Sequence, residues 1–267
     1  CAEKGIILIE DLAHSVGAVY GSGKEAGAFG DFTVFSFSQD KIIDGISGGA
    51  LVIKNPRYRI RAPYPLNDLD YKTQLIERLY PLFTFKIRKT YGVGLGKILH
   101  AALKKARLLS LPLGELRQRG LYDLPSWYCH LAKFQFDNLS ANVAHRRSIA
   151  SVYAAKLDKS VLPSFSIEQL SLSNNLRFPI FVNNREGLID HLMKNKVFVS
   201  DIWYDAPISP HKYLHLTNYQ QGQCPLAEKI AFRILNLPTH INVSEKEADR
   251  ITELINQWSS DDQKLQR

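Results

Sequence analysis

Apolar residues cluster in three short runs near the start of the chain, at 5–9, 32–37 and 50–53. They are rich in Ile, Val and Phe and carry few polar interruptions, a pattern that predicts strands covered on both faces in a parallel sheet. Between them stand glycines 17, 21, 23, 27, 30, 45, 48 and 49, which punctuate the connections. Short glycine-rich loops at strand ends are where α/β sheets place their ligands. The first run stops abruptly at Glu10-Asp11.

The pattern changes after residue 56. From 71 to about 111 the chain reads as helical, apolar and basic, with Leu75, Ile76, Leu79, Leu82, Ile87, Leu95, Ile98, Leu99 and Leu103. Leu131, Phe134, Phe136, Leu139 and Val143, leading on to Tyr153, predict one long amphipathic helix linking two domains. A strand is expected at 176–182, a helix at 184–195, a strand at 197–202, a helix at 225–234 and a last helix at 245–258. Ser244 with Glu247 fits a capping box at the start of that last helix. These elements divide the chain into 1–55, a basic and mostly helical insertion at 56–123, and an inter-domain helix with a smaller α+β domain at 124–267.

A length of 267 residues leaves room for one large domain or two small ones. The net charge of +8 is concentrated. Between 57 and 119 there are fourteen Lys and Arg against four Asp and Glu, so this segment carries +10 and the remainder −2. Basicity confined to one segment argues against a general nucleic-acid-binding surface. The simplest reading of the segment is a solvated face, or a cover that attracts a nucleotide diphosphate. Peripheral membrane contact is the less favoured alternative. No stretch reaches the ~20 uninterrupted apolar residues of a membrane span. Cys1, Cys129 and Cys224 form no Cys-x-x-Cys pair, which speaks against a disulfide scaffold and a zinc site and for a reducing cytoplasm. No metal is expected. The chain starts with Cys, without a signal peptide, and residues 1–4 read as the end of a helix feeding a strand, as though an earlier portion were missing.

Four residues suggest chemistry. Lys41 follows Ser36 by five positions and precedes Gly48-Gly49; Asp11 closes the first apolar run, and His14 follows it by three. Pyridoxal phosphate (PLP) chemistry needs such a set: an amine to hold the aldehyde, a carboxylate for the pyridine nitrogen, a hydroxyl for the phosphate and a group at the ring. Lys41, Asp11, Ser36 and His14 are the respective candidates. Each has a plainer reading: Lys41 as a surface lysine, Asp11 as a helix cap, His14 as a structural histidine, Ser36 as a strand residue. Asp11, His14 and Ser15 are too close in sequence for a hydrolase triad, and no Gly-x-Ser-x-Gly elbow occurs. Gly92 to Lys97 lacks phosphate-loop spacing and reads as a flexible joint.

The joint pattern resembles the DegT/StrS-type sugar aminotransferases. The resemblance rests on Ile9 to Ala18, Gly27-Ala28-Phe29-Gly30-Asp31, Ser36-Phe37-x-x-x-Lys41 and Gly48-Gly49. It extends to Gln135, Leu139 and Arg146-Arg147, to Cys224-Pro225-Leu226-Ala227-Glu228 and to 235–240. It implies a fold-type-I PLP-dependent transferase of the α/β class, with part of a large domain carrying a mixed or parallel sheet. It implies roles for Asp11 and His14 at the pyridine ring, Ser36 at the phosphate and Lys41 as the Schiff-base amine. The implied reaction transfers an amino group, typically from glutamate, to a nucleotide-linked keto-sugar for surface polysaccharide or secondary-metabolite biosynthesis, in a homodimer. Lys41, where one branch of the family has His, selects transamination over dehydration. Full members carry a longer portion before the first strand and an Asn-x-Arg-Met stretch after the glycine pair; neither occurs here. The alternative is a non-catalytic relative that acts through partner or membrane-surface binding of 56–123.

Overall fold

A computed structural model describes residues 1–58, 66–110, 122–164, 167–199 and 204–265. Its contacts fall into two units, Cys1–Ser140 and Ala141–Arg267. The first is built on a three-stranded sheet of β1 (Ile9–Asp11), β2 (Phe32–Ser36) and β3 (Gly49–Ile53), in that order. β1 and β2 run parallel with Asp11 opposite Val34, and β3 returns antiparallel with Gly49 opposite Ser36. The sheet is thus mixed; β2 and β3 lie on the predicted apolar runs, whereas β1 starts only at Ile9, the last residue of the first run, and residues 6–8 are irregular.

Their burial differs from the expectation. Ile9 is 60% exposed and Leu51 in β3 is 54% exposed. Among the described residues β1 pairs with β2 alone and is an edge strand of the sheet. An apolar run identifies a strand; it does not specify what lies over it.

The insertion contains β4 (Asn67–Asp68), α1 (Tyr71–Thr90), a 3₁₀ turn (Tyr91–Val93), α2 (Leu95–Lys105) and β5 (Tyr122–Asp123). β4 and β5 pair in parallel, which ties the two ends of the excursion together. Asp70 starts α1 by accepting a hydrogen bond from the Thr73 N–H at 2.9 Å, an N-cap. Of the glycines in the expected joint at 92–97, Gly92 and Gly94 have open space around them and Gly96 is closely packed. Gly94 has a φ of 86°, and a Cβ on Gly96 would lie 2.2 Å from the Ile87 carbonyl oxygen. Glycine therefore lets α2 approach the end of α1.

The expected single helix after residue 125 is two: α3 (Ser126–Asp137) and α4 (Leu139–Lys156). The break falls at Asn138, whose side-chain amide donates to the Phe134 carbonyl at 2.8 Å and competes with the helical bond. The boundary between the two units lies just inside α4.

The second unit holds the rest of α4, then α5 (Ile167–Leu172), β6 (Arg177–Phe181), α6 (Arg185–Lys194), α7 (Pro225–Ala231), β7 (Ile234–Pro238) and α8 (Glu245–Leu265). β6 and β7 pair antiparallel. Tyr153, Phe178, Ile180, Leu188, Leu235 and Ile251 are buried in one apolar core between this ribbon and the helices. That is the expected α+β domain, with two local corrections. Residues 197–199 are irregular instead of beginning a strand, and the rest of that expected strand lies outside the described residues. The helix expected to reach 234 stops at Ala231, and Ile234 opens β7. The capping box is half made. The Ser244 hydroxyl accepts from the Glu247 N–H at 3.2 Å, while the Glu247 carboxylate turns to Arg250.

Candidate active site

The site is assembled at the carboxyl ends of two neighbouring parallel strands. Asp11 is the last residue of β1 and Ser36 the last of β2. Beyond Ser36 the chain folds into a tight loop. Phe37 N–H donates to the Gly48 carbonyl, Gly45 N–H to Phe37 and Gln39 N–H to Ile46. Ile42, Ile43 and Ile46 are buried and anchor this loop from below. Lys41 stands next to two of these anchors, so its backbone is fixed while its amine reaches outward.

The loop can close because of the glycine pair. A Cβ on Gly49 would sit 2.4 Å from the Phe35 carbonyl oxygen, and one on Gly48, at φ 94°, would sit 2.6 Å from Leu124 Cδ1. A side chain at Gly49 would push β3 off the end of β2, and one at Gly48 would displace the Leu124 side chain from a backbone position that favours glycine.

Two of the four predicted residues meet directly: Lys41 Nζ lies 2.6 Å from His14 Nε2. Two cations would repel at that separation, so the contact holds one proton between amine and imidazole. The Ser36 hydroxyl pairs with the Ser38 hydroxyl at 3.0 Å. Asp11 Oδ1 accepts from the Ala13 N–H at 2.8 Å, which fixes the carboxylate at the strand end. The segment after Asp11 is a run of turns rather than a helix. Asp11 thus caps a turn, and the approach of His14 to Lys41 is set by that turn instead of by helical spacing.

Glu10 is the residue that sequence reasoning missed. It is buried, and its two carboxylate oxygens accept from the Tyr20 hydroxyl and the Gly27 N–H, each at 2.8 Å, and from the N–H groups of Phe29 (2.8 Å) and Gly30. Lys54 Nζ stands 3.5 Å away. Burial pushes this carboxyl up. The bonds from Gly30, Tyr20, Gly27 and Phe29 outweigh that and hold it down at about 2. Glu10 therefore pins the glycine-rich loop beneath Asp11. A signal was present in the sequence. Strand alternation turns Glu10 away from the face of Ile9 and Asp11, and Gly27 to Gly30 supplies unshielded backbone donors.

The insertion also reaches the Lys41 loop. Ser47 donates to the buried Glu77 of α1 at 2.6 Å, and the Tyr128 hydroxyl of α3 donates to the same carboxylate oxygen. The Gln39 amide donates to the carbonyl and hydroxyl oxygens of Ser110. A cleft of about 220 Å³ lies between loop and insertion, lined by Asp40, Tyr80, Thr84, Arg88 and His100 among others. Burial, then the charges of Asp44 and Asp40, push the Tyr80 phenol up to about 12, so it stays protonated as a donor.

The Arg146-Arg147 pair is structural. Arg146 is buried and donates to the Leu176 carbonyl and the Thr239 hydroxyl, and Arg147 donates to the Ser173 carbonyl. Burial, then the charge of Arg177, lowers the Arg146 guanidinium to about 10, which leaves it protonated.

Comparison with known proteins shows what the whole chain is similar to. The profile of the DegT/DnrJ/EryC1/StrS aminotransferase family matches residues 1–63 and 122–256 and passes over the insertion. The dTDP-3-amino-3,6-dideoxy-alpha-D-galactopyranose transaminase of Aneurinibacillus thermoaerophilus is 26% identical over 255 residues, which cover 94% of this chain and 58% of that protein. The GDP-perosamine synthase of Vibrio cholerae is 24% identical over 266 residues, or 96% of this chain and 59% of that one. Among solved structures, the PLP form of Spr1654 from Streptococcus pneumoniae superposes with a TM-score of 0.62 at 19% identity, covering 96% of this chain and 58% of that one. The chain therefore spans somewhat more than half the length of the relatives it matches.

Proposed function

The chain belongs to the DegT/DnrJ/EryC1/StrS aminotransferase family, and from that premise we propose that its first unit holds PLP at Lys41 and serves amino transfer to a nucleotide-linked keto-sugar. The observation that carries this reading is the 2.6 Å contact of Lys41 Nζ with His14 Nε2, set beside the strand-end residues Asp11 and Ser36. The groups fit the cofactor in kind: a primary amine, an imidazole, a fixed carboxylate and a pair of hydroxyls. When bound, PLP supplies an aldehyde for an amine and a ring that takes up the electron pair of a broken C–H bond.

The protein's own groups divide the remaining work. His14 keeps a proton acceptor or donor at Lys41 Nζ, which must be neutral to act as a nucleophile and protonated to return a proton. Asp11, oriented by the Ala13 N–H, provides the negative charge for the ring nitrogen. Ser36 and Ser38 present hydroxyls to the phosphate. The cleft that Arg88, His100 and Tyr80 line together with Asp40 adjoins the Lys41 loop, and its Arg88 guanidinium and Tyr80 hydroxyl offer donors to the diphosphate of the sugar carrier. An α-amino acid such as glutamate is the fitting amino donor, and a homodimer the fitting assembly. The names of the two curated relatives, one a dTDP-sugar transaminase and one a GDP-sugar synthase, support the substrate class.

The test is titration with PLP, followed by absorption in the near-ultraviolet and visible. The reading predicts a protein-dependent band that Lys41→Ala abolishes and His14→Ala retains with an altered pH dependence. A band that survives Lys41→Ala unchanged contradicts it.

A further inference from the structure

The insertion turns outward what an amphipathic helix normally turns inward. In α1 the packed side carries Glu77, Tyr80 and Ile87, whereas Leu75, Leu79, Leu82 (48% exposed) and Phe85 (62%) face out. In α2 Gly96 and Leu103 are buried, and Leu95 and Ile98 (69%) face out. The spacing of 75, 79 and 82, and of 95 and 98, places each set on one helix stripe. Scattered exposed apolar residues are ordinary; stripes of this kind mark an interaction surface.

The charge around these stripes selects the partner. Residues 71–108 contain nine Lys and Arg and one acid, Glu77, which is buried. Lys72, Lys86, Lys89, Lys97, Lys104 and Lys105 are exposed. Lys89 lies over the Phe85 ring and Lys97 over the Tyr91 ring, so cations and apolar groups are interleaved. A second copy of this face would bring like charges together. Nucleic acid would satisfy the charge and leave leucine and isoleucine in water. A bilayer surface with anionic headgroups satisfies both, since acyl chains take the apolar stripe and headgroups take the lysines. Among the described residues no helix is long and apolar enough to cross a membrane.

We propose that α1 and α2 form a peripheral membrane-docking surface that holds this chain on anionic lipid. The proposal is independent of the aminotransfer reading and has a separate readout. The test is flotation of the 267-residue chain with vesicles of phosphatidylcholine alone or mixed with phosphatidylglycerol. The chain should float with the mixed vesicles at low salt and stay behind with the neutral ones. Lys86→Gln, Lys89→Gln and Lys97→Gln together should weaken partitioning by about fivefold per charge. Leu82→Glu with Ile98→Glu should abolish flotation while far-UV circular dichroism keeps its helical signal. Failure to float with anionic vesicles overturns the proposal, as does flotation untouched by both variant sets. Sedimentation velocity separates the remaining rival: a dimer lost in Leu82→Glu/Ile98→Glu, without vesicle binding by the parent chain, assigns the face to a second copy and overturns the proposal too.

Discussion

The two units of this chain are held together by different physics. The second closes a conventional apolar core in which Phe178, Ile180, Leu188, Leu192, Leu235 and Leu237 are fully buried. The first leaves apolar strand residues such as Ile9 and Leu51 exposed, and adds buried carboxylates to its buried apolar residues such as Ile42, Ile43 and Tyr128. Glu10 gathers three backbone N–H groups, a phenol and a lysine, and Glu77 ties together Ser47 and Tyr128. An apolar core is tolerant of detail and supplies bulk stability. A carboxylate accepting several directed bonds fixes loop backbones in place, and the candidate site needs its loops fixed.

Mutations that separate these mechanisms are expected to differ in size and in character. Phe178→Ala should have the largest effect, about 3–5 kcal/mol of destabilisation in denaturant unfolding, because it leaves a cavity in a closed core. It should leave PLP affinity at Lys41 unchanged where the protein remains folded. Glu10→Gln should cost about 1–3 kcal/mol, since an amide nitrogen then faces buried donors. Unlike Phe178→Ala, it should weaken cofactor binding by loosening the 27–30 loop.

Glu10 also makes a pH signature. Its carboxyl is lowered from 4.5 to about 2 on folding. A depressed carboxyl stabilises the fold above its unfolded value and loses that contribution as pH falls through the folded one. Acid unfolding curves should therefore show a loss of stability between about 4.5 and 2 that Glu10→Gln lacks. Absence of any difference between the two curves contradicts the assigned role. Glu77→Gln should cost less, on the order of 1 kcal/mol, because the amide oxygen can still accept one of the two hydroxyl bonds. Ser244→Ala should be the mildest, about 0.5–1 kcal/mol from a single exposed cap, and should leave the first unit unaffected.

The two units also differed in how far the sequence could be read. In the second, β6, α6 and α8 start within a residue of their predicted positions. There the alternation or helical period of apolar residues coincides with real burial, as in the burial of Phe178 and Ile180 along β6. In the first, the positions of β2 and β3 were legible, while β1 begins only at the last residue of the apolar run at 5–9; burial was not legible, because cover depends on layers that a run of Ile and Val does not encode. The candidate site was legible as composition and spacing: Asp11, His14, Ser36 and Lys41. The contact between Lys41 and His14 was not, since it depends on the turn after Asp11 and the positive φ of Asp40 and Ile46 that shapes the lysine loop. Glu10 escaped notice because it is adjacent to the more conspicuous Asp11 and because most of its partners are backbone N–H groups, which only the glycines at 27 and 30 hint at. The break at Asn138 was carried by a single side-chain bond within a continuous helical pattern.

Lys41 as the cofactor lysine is the central claim, and borohydride reduction of the PLP-treated chain followed by peptide mass mapping tests it most directly. Reduction locks the cofactor onto whichever amine has formed the imine. The account predicts the phosphopyridoxyl mass on the peptide containing Lys41, at low PLP, ahead of the exposed lysines of the insertion. Labelling spread over those surface lysines, with Lys41 unmodified, would contradict it.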